Sequence, residues 1–562
     1  MKAMRVLSAV EMQACDRLTS ERYGVPSIDL MRAAASSVAA FAREQFPATR
    51  RVTVLCGRGN NGGDGMMTAW LLAEAGLGVT TLLLGAPEKI SGDAAVAWSE
   101  LNHPTHGRVY VIANEQELAR HNDALDADLI VDALLGTGFK PPMRGLPLAA
   151  LAWLRASREQ VIAHAPVLAI DLPSGWPADE TAANFSGPVF PADAVITFTA
   201  PKPAHIFGNL TRRWNQPVVV APIGSPDEAI VSALGLEWAG SSLDLAQTPR
   251  LAAANKGNFG HVLVVGGTFG TGGGKAGAPT MTALAALRSG AGLVTAAVPA
   301  PALHVVASFA PELMTWPLLA GGEGQIAAKN CEPKLLDPLL AGKTVLALGP
   351  GLGQSSEAAK FAAGLLTATK IPAVIDADAL NILAAKPVLL AKLAKGRTLV
   401  LTPHPGEMAR LAATTVAKVQ ANRLETARQF ARQFGVTLVL KGARTIIAHA
   451  DGRTAVNTSG NPGMAKGGSG DLLTGLIAGL LAQHPGDAAR AVEAAVYLHG
   501  LAADLTVCES DEHTLLASDA LARLAQAFQS QAHRLPCGGR SGYLWLQGHC
   551  MQQAKNRCSR SQ

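Results

Sequence analysis

Short apolar runs rich in Val, Leu and Ala, each closed by glycines or an acidic residue, alternate along the chain with longer stretches of helical period. Runs that are apolar at every position predict parallel strands buried on both faces, with helices as the connections. Residues 1–50 predict helix, apolar at Val6, Val10, Leu18, Leu30 and Val38 and broken by the turn Tyr23-Gly24-Val25-Pro26. Val52–Gly76 then reads as a strand, a glycine-rich loop and an Ala/Leu-rich helix. Further strands are predicted at Gly78–Gly85, within Ala127–Gly145, at Pro166–Gly175 and at Ala192–Lys202. Between Ser225 and Arg250 the rhythm lapses and Pro, Ser and Gly gather, which predicts a linker. The pattern restarts at Asn255–Gly267, with strands at Lys343–Gly353, Pro372–Asn381 and Thr398–Met408, and another after the Ala421–Phe434 helix. Asn461–Gly475, NPGMAKGGSGDLLTG, opens the apolar helix Leu472–Leu481, and Ser518–Ser530 is the last predicted helix. The tail beyond it has no period and reads as disordered. The prediction is an α/β protein with domains at 1–225 and 251–530, a linker at 226–250 and a tail at 531–562.

Composition narrows the class. A chain of 562 residues is long enough for two domains. It is 48% apolar and only 16% charged, which suits sheets buried on both faces. The longest uncharged apolar stretches, such as Leu472–Ala482, fall well short of the ~20 residues of a membrane span. Glu11 and Asp16 interrupt the N-terminus before any signal-peptide core, so a cytoplasmic protein without membrane partners is expected. The net charge of +5 comes with no basic run interleaved with aromatics, and nucleic acid is not indicated. Seven cysteines form no CxxC pair, and the tail set Cys537, His549, Cys550 and Cys558 matches no common zinc spacing.

The candidate chemistry collects at predicted strand ends. In the first domain these are Asn60, Asn61 and Asp64 in the glycine-rich loop, then Asp132 and Asp171. Polar groups at several strand ends of an open α/β sheet converge on one crevice. Taken singly, each reads equally as a cap or turn residue. In the second domain Asp376, Asp378, Asn381, His404 and Glu407 hold such positions, and Lys441 and Arg444 flank Gly442 where they could meet a nucleotide phosphate. At Gly467-Gly468-Ser469-Gly470-Asp471 the glycines and the free N–H groups of the following helix form an anion hole with a carboxylate at its lip. That suits phosphoryl transfer from a nucleotide to a hydroxyl. The plain alternative is a glycine-rich turn in which Asp471 is an ordinary first-turn residue.

GNNGGDG, VDALLGTGF and DLPSG, in this order and spacing, resemble the NAD(P)H-hydrate epimerase domain, a Rossmann-like three-layer fold, over roughly residues 1–225. The resemblance implies that Asn60, Asn61, Gly62, Gly63 and Asp64, with Gly136, Thr137, Gly138, Phe139, Lys140, Pro141 and Pro142, line a hydrate site. Asp171 also contacts the hydrate and is the candidate for acid–base assistance. A K+ ion is implied near Asn61, Asp132 and Ser174. One departure stands at Leu30-Met31-Arg32-Ala33-Ala34, where an acidic and an amide residue are expected after the methionine.

The second half, roughly 251–530, resembles the ADP/ATP-dependent NAD(P)H-hydrate dehydratase, a ribokinase-like fold, most specifically through NPGMAKGGSGDLLTG. This implies that Lys441, Gly442, Ala443, Arg444, Thr445 and Gly470 contact ADP or ATP accompanied by Mg2+. It further implies that Ala278, Gly353, His404 and Asp471 contact the hydrate, with Asp471 as the base. Lys466 departs from the small hydroxyl residue expected in the motif, and the TGGGKAGAP loop looks longer and more basic than expected. Together the resemblances imply a bifunctional repair enzyme for hydrated NADH and NADPH (NADHX and NADPHX), and a homo-oligomer is expected. Two alternatives stand beside it: a ribokinase-like vitamin or sugar kinase fused to a nucleotide-binding module, and a non-enzymatic ligand-sensing N-terminal domain.

Overall fold

The computed structural model describes residues 3–101, 107–158, 164–270, 273–530 and 542–548. It divides into two compact units, one of Met4–Leu234 with the described part of the C-terminal stretch, the other centred on Gly235–Ser530.

The first unit is built on β1 (Arg51–Cys56), β2 (Gly78–Leu84), β3 (Arg108–Ile112), β4 (Leu129–Ala133), β5 (Val167–Ile170), β6 (Ala194–Phe198) and β7 (Val218–Ala221). They run parallel in the order β7-β6-β5-β4-β1-β2-β3. The order reverses between β1 and β4, so the crevice of this sheet lies beyond their carboxyl ends. The residues expected to form a glycine-rich loop instead make the first turns of the Asn60–Glu74 helix. Close approach explains the difference. A Cβ on Gly62 would lie 1.9 Å from the Gly57 carbonyl oxygen, and one on Gly65 would lie 2.4 Å from Ala133 Cβ. The glycines thus let the helix start press against the strand ends. Ahead of the sheet, helices Ala9–Glu21 and Ser27–Gln45 flank the expected turn, and Ser8 and Glu11 form a capping box for the first.

In the second unit the strands are β8 (Leu236–Trp238), β9 (His261–Val265), the small hairpin β10 (Phe269–Gly270) and β11 (Gly273–Gly274), β12 (Leu293–Pro299), β13 (Met314–Leu318), β14 (Val345–Leu348), β15 (Ala373–Ile375), β16 (Leu399–Leu401), β17 (Thr437–Leu440), β18 (Ile446–Ala448) and β19 (Thr454–Val456). Its main sheet has the order β13-β12-β9-β14-β15-β16-β17-β18-β19-β8, parallel from β13 to β17 and antiparallel through β18 and β19. β8 corrects the expected linker: it pairs with β19, and the buried Trp238 donates its indole N–H to Thr458 Oγ1 at 2.8 Å. Glu237 interrupts the apolar run of β8, so it leaves no strand signal of the kind that marks the buried parallel strands.

Leu472–Ala482 is buried at every position, as befits a helix that is apolar all round. This Ser469–Gln483 helix packs against helix Gly277–Arg288 on one side and Ala488–Val507 on another. A Cβ on Gly475 would lie 2.1 Å from the Thr282 carbonyl oxygen, so glycine sets how closely the first pair can approach.

The tail also departs from expectation. Leu544–Gln547 forms β20, antiparallel to β7, and makes the first unit's sheet eight-stranded. Trp545 is 2% exposed, and the Tyr543 hydroxyl donates to the Ser37 carbonyl oxygen at 3.0 Å. Cys537, His549, Cys550 and Cys558 lie outside the described residues. No helix among the described residues is long and apolar enough to cross a membrane.

Candidate functional site

Each unit gathers its polar groups beyond the carboxyl ends of its parallel strands. In the first, Asp171 follows β5 at φ +64 and is buried. Its Oδ1 accepts from Lys202 Nζ and from the Thr197 hydroxyl, each at 2.9 Å. Its Oδ2 accepts from the Thr137 N–H at 2.7 Å and from the Thr137 hydroxyl. Burial raises this carboxyl, but the Lys202 ammonium, His205 and the hydrogen bonds from Thr137 and Lys202 together outweigh it and hold Asp171 well below the usual range. His205 Nδ1 accepts from the Lys202 N–H at 3.0 Å, which leaves Nε2–H to donate to the Asp171 carbonyl oxygen at 2.7 Å. Burial pushes this imidazole down to about 4, so it stays neutral.

The other carboxyls of this crevice behave differently. Burial, and then the Asp171 and Asp16 charges, push Asp64 well above its ordinary value. Burial raises Asp132 to about 6, although Ser174 donates its N–H to Oδ2 at 2.8 Å and its hydroxyl to Oδ1 at 2.6 Å. Both polar atoms of the Asn61 carboxamide are enclosed without a hydrogen-bond partner among the described residues. A Cβ on Gly136 would lie 3.0 Å from both Asn61 Cγ and Asp171 Oδ2. Asn61, Gly136, Thr137 and Asp171 therefore form one wall, and position 136 has no room for a side chain. Gly62 and Gly63 are buried in the helix start behind it, while Asn60, Gly138, Lys140, Pro141 and Pro142 lie at the exposed rim. Phe139 packs into the core beside Leu134. Arg32, at the departure noted above, is exposed and paired with Glu100 at 2.8 Å.

Three successive strand ends build the second crevice. Asp376 follows β15, Thr402 follows β16 and Lys441 follows β17. Lys441 Nζ donates to Asp376 Oδ1 at 2.8 Å and stands 4.0 Å from Glu407 Oε2. The Thr402 hydroxyl donates to Asp376 Oδ1 and the Thr474 hydroxyl to Oδ2, both at 2.8 Å. A Cβ on Gly470 would come within 3.3 Å of Lys441 Nζ, so the glycine motif and the lysine face each other. Gly468, at φ +92, turns the chain into the helix that carries Asp471. Burial first, and then the Asp376 charge, push Asp471 up to about 6 against the pull of Lys441.

The residues expected at the hydrate side are tied to this centre. The Thr282 hydroxyl lies 3.0 Å from the carbonyl oxygens of both Ala278 and Asp471, linking their helices. Gly353, at φ +80, donates its N–H to Asp378 Oδ2 at 2.9 Å, and Lys275 of the glycine loop pairs with that carboxylate at 3.6 Å. His404 caps helix Pro405–Leu411: its Nδ1 accepts from the Gly406 N–H at 3.0 Å, while the ring stays half exposed.

Lys441–Thr445 form the connection between β17 and β18. Arg423 braces it, donating to the Ala443 carbonyl oxygen at 2.5 Å, and Thr445 donates to that of Gly442 at 2.9 Å. Arg444 donates from its guanidinium to the Thr458 carbonyl oxygen at 3.2 Å. Lys466 is exposed and donates to the His513 carbonyl oxygen.

Sequence reasoning did not assign Lys202, Thr197, His205 or Asp16 to the first crevice. Asp376 and Glu407 were seen at strand ends but not assigned to the second. For Lys202 the available signal was its place just after an apolar run; for Asp16, on a helix outside the sheet, there was none.

Comparisons with known proteins come in the same two parts. The family described as YjeF-related protein N-terminus matches residues 27–204, and that described as NAD(P)H-hydrate dehydratase matches residues 262–526. A bifunctional NAD(P)H-hydrate repair enzyme of Moorella thermoacetica is 41% identical over 533 residues, covering 92% of this chain and 95% of the relative. Another, from Escherichia coli, is 34% identical and covers 92% of each chain. The crystal structure of the ADP/ATP-dependent NAD(P)H-hydrate dehydratase from Bacillus subtilis, co-crystallised with ATP and Mg2+, is 32% identical and covers 51% of this chain and 96% of that one, with a TM-score of 0.43.

Proposed function

We propose, since the chain belongs to the bifunctional NAD(P)H-hydrate repair enzymes, that its two crevices catalyse successive steps on hydrated NADH and NADPH. The first unit interconverts the R and S hydrates, and the second dehydrates the S form at the expense of ADP or ATP.

One observation carries the second assignment: an enclosed carboxyl, Asp471, beside Lys441 at the N-terminus of a glycine-flanked helix. Asp471 takes the proton of the hydrate hydroxyl as that oxygen attacks the terminal phosphoryl group of the nucleotide. Gly470 and the free N–H groups of the helix stabilise the developing charge, and Lys441 binds the phosphates. Phosphate then leaves C6 as the ring-nitrogen lone pair forms an N1=C6 π bond, and loss of a C5 proton to solvent returns that pair to nitrogen and leaves the C5=C6 double bond of the working cofactor. Gly442, Ala443, Arg444 and Thr445 offer backbone to the nucleotide, and Ala278, Gly353 and His404 border the hydrate. A Mg2+ ion that accompanied the nucleotide would offset phosphate charge, and Asp376 and Glu407 are the carboxylates of this crevice that would hold it.

In the first unit the wall of Asn61, Gly136, Thr137 and Asp171 supports a hydrate site whose rim is Asn60, Gly138, Lys140, Pro141 and Pro142. Asp171, pinned by Lys202, Thr197 and Thr137, is assigned the part of a fixed anion rather than a proton carrier. The unpaired Asn61 oxygen, with Asp132 and the Ser174 hydroxyl, is a donor set of the hard-oxygen kind that fits K+. A bound K+ would neutralise Asp132 and fix the Asn61 carboxamide. The four described cysteines are free thiols, which supports a cytoplasmic setting.

The test is recovery of 340-nm absorbance from mixed R and S NADH hydrates with the full chain, Mg2+, K+ and ADP or ATP. Full recovery supports both assignments. Recovery that stops at the S fraction overturns the epimerase assignment, and no recovery with either nucleotide overturns the dehydratase.

A further inference from the structure

We propose that Asp16, on the Ala9–Glu21 helix, is the second proton-transfer residue of the epimerase crevice. The proposal rests on the epimerase reading and adds a residue that lies outside every motif that supports it. The N-terminal segment is fastened to the stretch that carries Lys202. Leu7 donates its N–H to the Pro201 carbonyl oxygen at 3.0 Å, and Leu7, Met12 and Cys15 pack with Ala200 in one buried cluster. Asp16 follows Cys15, and its Oδ1 is enclosed without a hydrogen-bond partner among the described residues. An enclosed acceptor left without a donor is costly, and its retention calls for a use.

The charged and titratable groups that interact with Asp16 are Asp64 from the Asn60–Glu74 helix, Asp171 after β5, Lys202 after β6 and the adjoining Cys15 thiol. Lys202 spends its hydrogen bonds on Asp171 and Thr197, so it draws Asp16 by charge without pinning it. The three carboxyls are thereby spread apart. Asp171 is held well below the usual carboxylate range, burial and the neighbouring Asp171 and Asp16 charges push Asp64 well above it, and burial places Asp16 at about 6, where it is mostly ionised at neutral pH. Carboxyls whose surroundings separate them in this way divide the acid and base parts of a reaction.

Epimerisation moves the C6 hydroxyl of the hydrate from one ring face to the other. Asp64 gives its proton to that hydroxyl, the C6–O bond breaks, water leaves, and the N1 lone pair becomes an N1=C6 π bond. Water then adds at C6 from the opposite face and the π pair returns to N1. The Asp16 carboxylate takes the proton that the added water sheds. One proton has left Asp64 and one has reached Asp16; exchange with solvent resets the pair.

The experiment separates R and S NADH hydrates by chromatography after incubation with the full chain and no nucleotide, across pH 5 to 8. Asp16→Asn is expected to lower the epimerisation kcat by about 100-fold or more, with KM within about threefold. Dehydration of the S hydrate with nucleotide stays at the wild-type rate. Wild-type kcat falls as pH drops through about 6, and this acid limb is absent from the residual rate of D16N. A D16N kcat within tenfold of wild type, or an acid limb that D16N retains, overturns the proposal. If D16N fails to fold in its N-terminal unit, Asp16→Glu decides: a shifted limb supports the proposal and an unmoved one overturns it. A wild-type chain without epimerisation brings down the epimerase reading itself, an outcome distinct from loss or retention in the variants.

Discussion

Lys441 and Asp376 are 65 residues apart in sequence, yet the ammonium of one meets the carboxylate of the other at 2.8 Å. The pair joins the ends of β15 and β17 beneath the glycine motif, and Asp376 also raises Asp471. Asp376→Asn removes that repulsion and leaves the enclosed ammonium with Glu407 and Asp471 as its carboxylate neighbours. Both changes favour the Asp471 carboxylate, so the acid limb of the dehydration kcat should move to lower pH. Breaking one side of an enclosed ion pair should also cost about 3–5 kcal/mol of stability. Dehydration of the S hydrate followed at 340 nm against pH, with thermal melting alongside, checks both. A limb that stays in place or moves upward would show that Asp376 does not tune Asp471.

Asp471 itself should trade stability for activity. Asp471→Asn is expected to lower the dehydration kcat by roughly 10²–10⁴-fold while nucleotide binding persists. Its carboxyl lies at about 6 in the folded chain against an ordinary value of 3.8. Between these two values the folded state holds a proton that the unfolded state releases. Stability therefore falls as pH rises through that window, and the burden is fully present at pH 7. It amounts to at most about 3 kcal/mol. D471N should thus melt higher than wild type at pH 7, with the gap closing toward pH 4. Equal melting at both pH values, measured by calorimetry, would contradict this account.

The parallel strands were legible because most are buried on both faces and so leave an apolar run; β2 and β5 lie inside the predicted stretches, and β1 begins one residue ahead of its own. The apolar Ser469–Gln483 helix was legible for the same reason. The helical start at Asn60 was not, because glycine disfavours helix locally and only the contact of Gly62 with Gly57 reverses that preference. β8 and β20 were missed because Glu237 interrupts one apolar run and Gln547 ends the other. Asn61 and Asp171 stood out by their strand-end positions, and Gly136 by the resemblance to the epimerase domain. The Lys202–Asp171 pair did not, because it needs β5 and β6 to be known neighbours. Asp16 required knowing where a whole helix packs.

Lys466 stands inside the most specific motif but should matter little to nucleotide affinity. It is exposed, and its ammonium is engaged by the His513 carbonyl oxygen. Lys466→Ser, which restores the small hydroxyl expected there, should leave the nucleotide KM within about threefold of wild type. A tenfold change in initial-rate measurements would place the lysine at the phosphates after all.

The tail strand should stabilise the first unit and leave the second untouched. β20 covers the β7 edge, which would otherwise present a row of unpaired backbone groups. Trp545 is buried against it, with its ring centroid 6.2 Å from that of Phe41, and Tyr543 packs on the same phenylalanine at 5.2 Å. Truncating a buried tryptophan typically costs about 3–5 kcal/mol. Trp545→Ala, and independently removal of residues 531–562, should lower the melting transition of the N-terminal unit and reduce epimerisation at elevated temperature. Dehydration of the S hydrate, carried out wholly by the other unit, should keep its wild-type rate and its own transition. Calorimetry resolves the two transitions. If the N-terminal one stays within about 1 kcal/mol of wild type in both variants, the strand caps the sheet without stabilising it.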